Sequence, residues 1–179
     1  MANVLTKNIW NCDALGILSV KPVLVQAIMF YPTTEAHAFE LKWWDEDSTT
    51  LQSDLVTYTI TTATDDTVTA SGGTPFPNTW LDGNVVKCLK TTGSDTGVYG
   101  LIKTAGNNTV FVTHLSPFTT EASKVGNWAC YPSYTAFKGI QPKDTNEESM
   151  WFPFPGNGFL FPNLALDSLS AGSIQIYVG

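Results

Sequence analysis

Charge is scarce in this chain, and positive charge is scarcest. Lys and Arg together number 9 against 16 Asp and Glu in 179 residues, charged residues make up 14%, and the formal net charge is −7. A typical soluble domain carries about 25% charged residues. The basic residues are scattered, with no run of three. A groove that tracks a phosphate backbone needs clustered cations, because its affinity comes from counterion release. Nucleic acid is therefore not expected as a partner. Histidine is nearly absent, with only His37 and His114. A Ser-His-Asp arrangement needs a base held between a nucleophile and an orienting acid. Neither histidine has such company, and no Gly-x-Ser-x-Gly element occurs. No His-x-x-x-His or Cys/His cluster offers a metal its ligands. The reading assigns no catalytic residue, no cofactor and no metal, and the chain is expected not to be an enzyme.

Cysteine is sparse as well. Cys12, Cys88 and Cys130 are odd in number, far apart and free of CxxC spacing, a pattern of buried reduced thiols. Long apolar runs are missing. No window approaches the ~20 apolar residues of a spanning helix, so no membrane partner is expected. The opening Met-Ala-Asn-Val-Leu-Thr-Lys lacks the features of a secretory signal, which predicts a protein made in a cytoplasm. Without a secretory route the sequon at Asn107, Asn108 and Thr109 carries no meaning. Acidic residues do cluster, as Asp45, Glu46 and Asp47, as Asp65 and Asp66, and as Glu147 and Glu148. Each cluster falls in an expected turn or linker, where carboxylates are solvated, and the Asp-x-Asp-x-Asp-Gly calcium loop is missing.

Strand signals run the length of the chain. Hydrophobic residues make up 43%, with 6 Trp and 10 Phe, enough for a core. Val56, Tyr58 and Ile60 alternate with Thr57, Thr59 and Thr61, and Ile174, Ile176 and Val178 alternate with polar neighbours. Such period-two patterning implies sheets with one dry and one wet face. The run Val23 to Tyr31 is apolar on both parities and reads as a central strand covered on both sides. Helical spacing never persists beyond one turn, the nearest candidate being a short helix at Thr119 to Val125. Turn formers at Asp82-Gly83-Asn84, Gly106-Asn107-Asn108, Gly156-Asn157-Gly158 and Ala171-Gly172 separate the strands.

Two hydrophilic stretches, Asp45 to Asp54 and Gln141 to Ser149, bracket a middle block with its own strands and aromatics. An inserted domain explains both, since it needs an entrance and an exit close together. The expected fold is all-β: an antiparallel β-sandwich formed by residues 1–48 and 143–179, interrupted by a small β-barrel or meander at 53–140. Trp80 is expected to supply the largest piece of the inserted core.

The densest aromatic segment is Met150 to Pro162, where Trp151, Phe152, Phe154, Phe159 and Phe161 alternate with prolines around Gly156-Asn157-Gly158. Proline cannot donate to a ladder, so this segment is expected to form a hairpin at a sheet edge. Its aromatics either fill the sandwich core or stay exposed as a docking surface. Trp43 and Trp44 are adjacent, so on a strand they face opposite sides and one needs cover outside its own core. These seven aromatics are the candidate interface.

The outer segments resemble small tailed-phage virion proteins of the capsid decoration or cement type. The likeness rests on Met-Ala-Asn-Val-Leu-Thr with Trp10, Asp13 and Gly16-Ile17-Leu18-Ser19, on Val23 to Phe30 with Pro32, and on Asn163-Leu164-Ala165-Leu166-Asp167 and Ser170 to Tyr177. The middle block, Trp80 to Val85 with Gly97-Val98-Tyr99, is similar to small β-barrel modules of phage head and tail proteins, although Asn84 stands where those modules often carry an acid. The resemblance implies a virion location, the major capsid protein or other virion proteins as partners, and a homo-oligomer. The alternative is a tail or baseplate component, including a carbohydrate-binding receptor module.

Overall fold

The structure is a computed structural model describing residues 3–33, 37–47, 51–52, 56–62, 66–71, 76–77, 80–105, 109–113, 118–140 and 149–179. Every regular element among them is a strand, and the registers defined between these strands are antiparallel. Two compact units result, Met1–Trp43 with Tyr134–Gly179, and Trp44–Ser133.

The first unit contains β1 (Val4–Leu5), β2 (Ile9–Cys12), β3 (Gly16–Ser19), β4 (Val23–Tyr31) and most of β5 (Ala38–Trp44). The second holds β6 (Leu51–Gln52), β7 (Val56–Thr62), β8 (Asp66–Ser71), β9 (Val85–Thr91), β10 (Tyr99–Ala105), β11 (Thr109–Thr113) and β12 (Glu121–Tyr131). The chain then returns to the first unit for β13 (Ser133–Ile140), β14 (Met150–Pro153), β15 (Phe159–Phe161), β16 (Leu164–Leu169) and β17 (Ser173–Val178).

In the first unit one sheet has the order β1-β2-β17-β4-β14, with β15 also on β4, and the other has the order β13-β5-β16-β3. Phe30 of the first sheet meets Phe39 of the second edge-on at 5.1 Å, and Phe152 meets Phe39 at 5.9 Å. Such contacts between the two inner faces make this unit a sandwich. The apolar run on β4 has a different origin from the expected double cover. Tyr177 opposes Ala27 but Val178 opposes Val25, so Gln26 is an extra residue on β4. This bulge reverses the parity of the strand. Val23 and Val25 on one side of it, and Ile28 and Phe30 on the other, all turn into the same core, while Gln26 is exposed.

Within the second unit β12 changes partner. Its first half pairs with β7 and its second with β9, so the order β7-β8-β11-β10-β9-β12 closes on itself as a small barrel. Gly126 sits at the change, opposite both Val56 and Thr91, and a Cβ there would lie 2.5 Å from the Lys90 carbonyl oxygen. Trp128 rather than Trp80 occupies the middle of the barrel core. It lies 5.2 Å from the Tyr58 ring, 5.5 Å from Phe118 and 6.3 Å from Phe76, whereas Trp80 stacks on Phe76 at 4.9 Å.

Two expectations are corrected. No helix covers Thr119 to Val125, because Glu121 opposes Ile60 and Val125 opposes Thr57 on the barrel wall. A register shift between Glu121 and Lys124, with Ser123 at φ 51°, breaks the alternation that marks a strand in sequence. The unit boundaries also fall elsewhere than 48/53 and 140/143. The chain crosses between Trp43 and Trp44 and again between Ser133 and Tyr134, and β13 joins the sandwich sheet beside β5. The hydrophilic residues 141–148 lie outside the described residues, as do Gly106, Asn107 and Asn108.

The double opposition at Gly126 gives a stability test. Gly126→Ala should lower the unfolding free energy by about 2 kcal/mol or more, the range of overpacking against an unyielding neighbour. Gly97→Ala, whose Cβ meets nothing within 4 Å, should cost only about 1 kcal/mol for its positive φ. Urea unfolding of the two variants measures the difference.

Candidate functional site

Functional geometry in the sandwich unit starts from β4. Met150 to Pro153 oppose Phe30 to Ala27, and Phe159 to Phe161 oppose Val25 to Val23. Both segments therefore run in one direction along one side of β4. The expected hairpin is not formed: β14 and β15 are halves of a single interrupted edge strand. The Phe154 amide still donates to the Gln26 carbonyl at 2.9 Å, after which residues 155–158 loop out. Gly158 must pass close to β4, since a Cβ there would lie 2.5 Å from the Val25 carbonyl oxygen, and its φ is 109°. Pro153 and Pro155 withhold amide donors along this stretch, which suits an edge and blocks further strand addition.

This edge sorts the candidate aromatics. Phe152 and Phe154 turn inward, 5.3 Å and 5.5 Å from Phe137, and Phe161 is buried, 6.2 Å from Phe154. Trp151 and Phe159 are left half exposed, at 49% and 55%, and Leu160 is exposed at 62%. Leu160 was missed in sequence because only rings were counted. Trp43 is half-buried 5.0 Å from the Tyr134 ring. Trp44, one residue on, belongs to the other unit, is fully buried and lies 5.9 Å from the Tyr99 ring. Of the seven candidates, Trp44 and Phe161 present nothing to a partner.

The outer face of the same sheet has its own character. Val4, Asn11, Gln175, Met29 and Trp151 oppose one another in a row across five strands. Ile9, Tyr177, Ala27 and Pro153 form the next row on one side, and Ser173 faces Tyr31 on the other. No charged side chain stands at any of these positions. Tyr31 and Tyr177 hydroxyls both donate to Gln175 Oε1, at 3.0 Å and 3.2 Å, while Gln175 Nε2 donates to Asn11 Oδ1 at 2.8 Å. Trp151 meets the Tyr177 ring edge-on at 5.0 Å.

In the barrel unit the polar groups are arranged differently. Tyr99 hydroxyl donates to Glu46 Oε1 at 2.7 Å, Lys87 Nζ lies 3.0 Å from Glu46 Oε2, and the ammonium sits 4.6 Å from the Tyr99 ring centroid. Partial burial acts to raise the Glu46 pKa, but bonds from Tyr99 and Lys87 and the lysine's charge bring it below the ordinary value. Glu46 is thus engaged by a cation of the chain, and no group of three His, Cys, Asp or Glu suited to a metal occurs among the described residues. Asp95 is nearly fully buried and accepts from the Thr119 amide at 3.0 Å. Burial raises its pKa above the ordinary value, the Thr119 amide opposes this, and the Glu121 charge adds to it. Glu121 itself accepts from the Ser94 amide at 2.7 Å. His37 Nδ1 is 2.9 Å from Ser170 Oγ, ahead of β5, and His114 lies outside the described residues. All three cysteines are buried and free, and burial first of all pushes each thiol up to about 12.

These environments fix opposite pH responses. Glu46 contributes stability above the unfolded carboxyl pKa that is lost as pH falls through its lowered folded value, so the advantage of wild type over Glu46→Gln should shrink in acid. Asp95, with its raised folded pKa, costs stability at neutral pH, and that cost is relieved as pH falls through the folded value. Asp95→Asn should remove this rise. Unfolding free energies of both variants between neutral pH and the carboxyl range check the signs. A thiol reagent at pH 8 should label none of Cys12, Cys88 and Cys130 in the folded protein and all three after denaturation.

Comparison of the chain with protein-family models, with curated proteins and with solved structures gives no match.

Proposed function

We propose that this chain is a structural component of a tailed-phage virion, a decoration or cement protein that bridges neighbouring subunits of the major capsid protein. The observation that carries this reading is the interrupted edge β14–β15, which leaves Trp151, Phe159 and Leu160 exposed in succession. Large exposed apolar side chains of this density mark interaction surfaces, and aromatic anchors dominate the energy of such contacts. The resemblance of the outer segments to small virion proteins supplies the setting. A cement protein adds buried area where shell subunits meet; a standard specific contact buries roughly 1,600 Å² in total. Repetition over many copies, or a homo-oligomer, lets modest contacts sum through avidity. A tail or baseplate position is the second reading, favoured by the uncharged aromatic face of the sandwich sheet.

The test uses expanded shells of the phage that encodes the chain. Wild-type protein should sediment with the shells and raise their resistance to heat. The double substitution Phe159→Asp and Leu160→Asp should weaken attachment about tenfold or more, the equivalent of ~1.4 kcal/mol, with melting of the free protein unchanged. Absence of shell binding by the wild type, or binding indifferent to both substitutions, contradicts the reading.

A further inference from the structure

The outer face of the sandwich sheet combines three properties on a chain of net charge −7. It spans strands β1, β2, β17, β4 and β14. It is uncharged at every paired position. Its polar groups are tied into one short network centred on Gln175. We infer that this face is a binding platform for a neutral carbohydrate, with the Trp151 ring as the stacking surface and Gln175, Asn11 and the Tyr31 and Tyr177 hydroxyls as its hydrogen-bonding groups.

The chemistry of a pyranose matches these parts. One face of such a ring presents C–H groups, and the rim presents hydroxyls that both donate and accept. Trp151, half exposed, offers an apolar surface for the first, and tyrosine and tryptophan supply such area with little side-chain freedom to lose. The second requires polar groups held in place beforehand. Gln175 Oε1 already accepts from both tyrosine hydroxyls, and one Gln175 N–H is committed to Asn11. These bonds lock the rotamers, so binding gives up little entropy. They leave the second Gln175 N–H, the Asn11 amide hydrogens and the lone pairs of the two phenol oxygens able to bond a ligand.

Charge selects among possible occupants. A phosphorylated or sulphated ligand would find no cation at the paired positions of this face, and the negative net charge of the protein would repel it. A protein partner would have to satisfy the amide network with its own buried polar groups, whereas hydroxyls do so at the rim of a solvated site. The apolar edge assigned to a protein above shares Trp151 with this face, while its Phe159 and Leu160 take no part in the sugar contacts.

The experiment takes the full-length chain and titrates it with cellohexaose, maltohexaose and chitotetraose as neutral probes and with sialyllactose as an acidic one. Calorimetry and tryptophan fluorescence provide the readouts. At least one neutral oligosaccharide should bind with a dissociation constant on the order of millimolar or below, and sialyllactose should not. Trp151→Ala and Gln175→Ala should each weaken binding about tenfold or more, the equivalent of ~1.4 kcal/mol, with unchanged melting. Phe159→Asp with Leu160→Asp should leave it intact. Failure of all three neutral probes, equal binding of sialyllactose, or binding unaffected by both face substitutions overturns the inference. Loss of shell attachment by Trp151→Ala in a protein that binds no oligosaccharide assigns the face to a virion protein and overturns it as well. Shell binding read through Phe159 and Leu160 stands or falls separately.

Discussion

Hydrogen bonding along both edges of β4 is the constraint on which the functional surface depends. On one side the strand carries β17, on the other the interrupted pair β14 and β15. Because Gln26 is an extra residue against β17, the strand reverses parity halfway along. Val23 and Val25 reach the core from one parity, Ile28 and Phe30 from the other. The facing edge strand must accommodate the same reversal, and it does so by looping out residues 155–158 around Gly156 and Gly158. The bulge thus explains both a seemingly double-sided apolar strand and the break that separates Trp151 from Phe159. Regular pairing throughout would have placed every second aromatic of Met150–Phe161 in the core and the rest on one face. The interruption instead sends Phe152, Phe154 and Phe161 inward, sets Trp151 on the outer face and leaves Phe159 and Leu160 exposed.

The two units solve the problem of unpaired strand edges in different ways. The barrel removes most of its edge by closure, with β12 serving both β7 and β9 and Gly126 allowing two neighbours to approach one residue. The sandwich keeps an edge and blunts it with proline and a loop. A protein that docks by side chains rather than by strand addition needs such an edge: accessible, apolar, and unable to extend the sheet of another molecule. This is the physical link between the proline-interleaved sequence and the proposed virion role.

Much of the fold was legible because period-two alternation survives wherever pairing is regular. Val56 to Ile60 and Ile174 to Val178 read correctly, and both are unbroken strands with one buried parity. Legibility failed wherever a bulge intervenes. Val23 to Tyr31 read as covered on both sides, and Thr119 to Val125 read as the one candidate for a short helix, each because an irregular register scrambles the alternation. The interrupted edge read as a hairpin, since Gly-Asn-Gly between two aromatic runs has the local signature of a reversal; only the shared partner β4 reveals that the chain continues in the same direction. The Trp43–Trp44 reading was physically sound, because two adjacent strand residues do divide between environments. Its consequence fell differently: the chain passes from one unit to the other between them. The uncharged outer face was invisible in sequence, since Asn11, Met29, Trp151 and Gln175 come together only through register.

Image reconstruction of intact phage particles, at a resolution that separates side chains, tests the central claim most directly. The account predicts density for this chain at the junctions between capsid subunits, with Phe159 and Leu160 of β15 buried against a neighbouring subunit. Density for the chain away from the shell, or on the shell with that edge facing solvent, would contradict it.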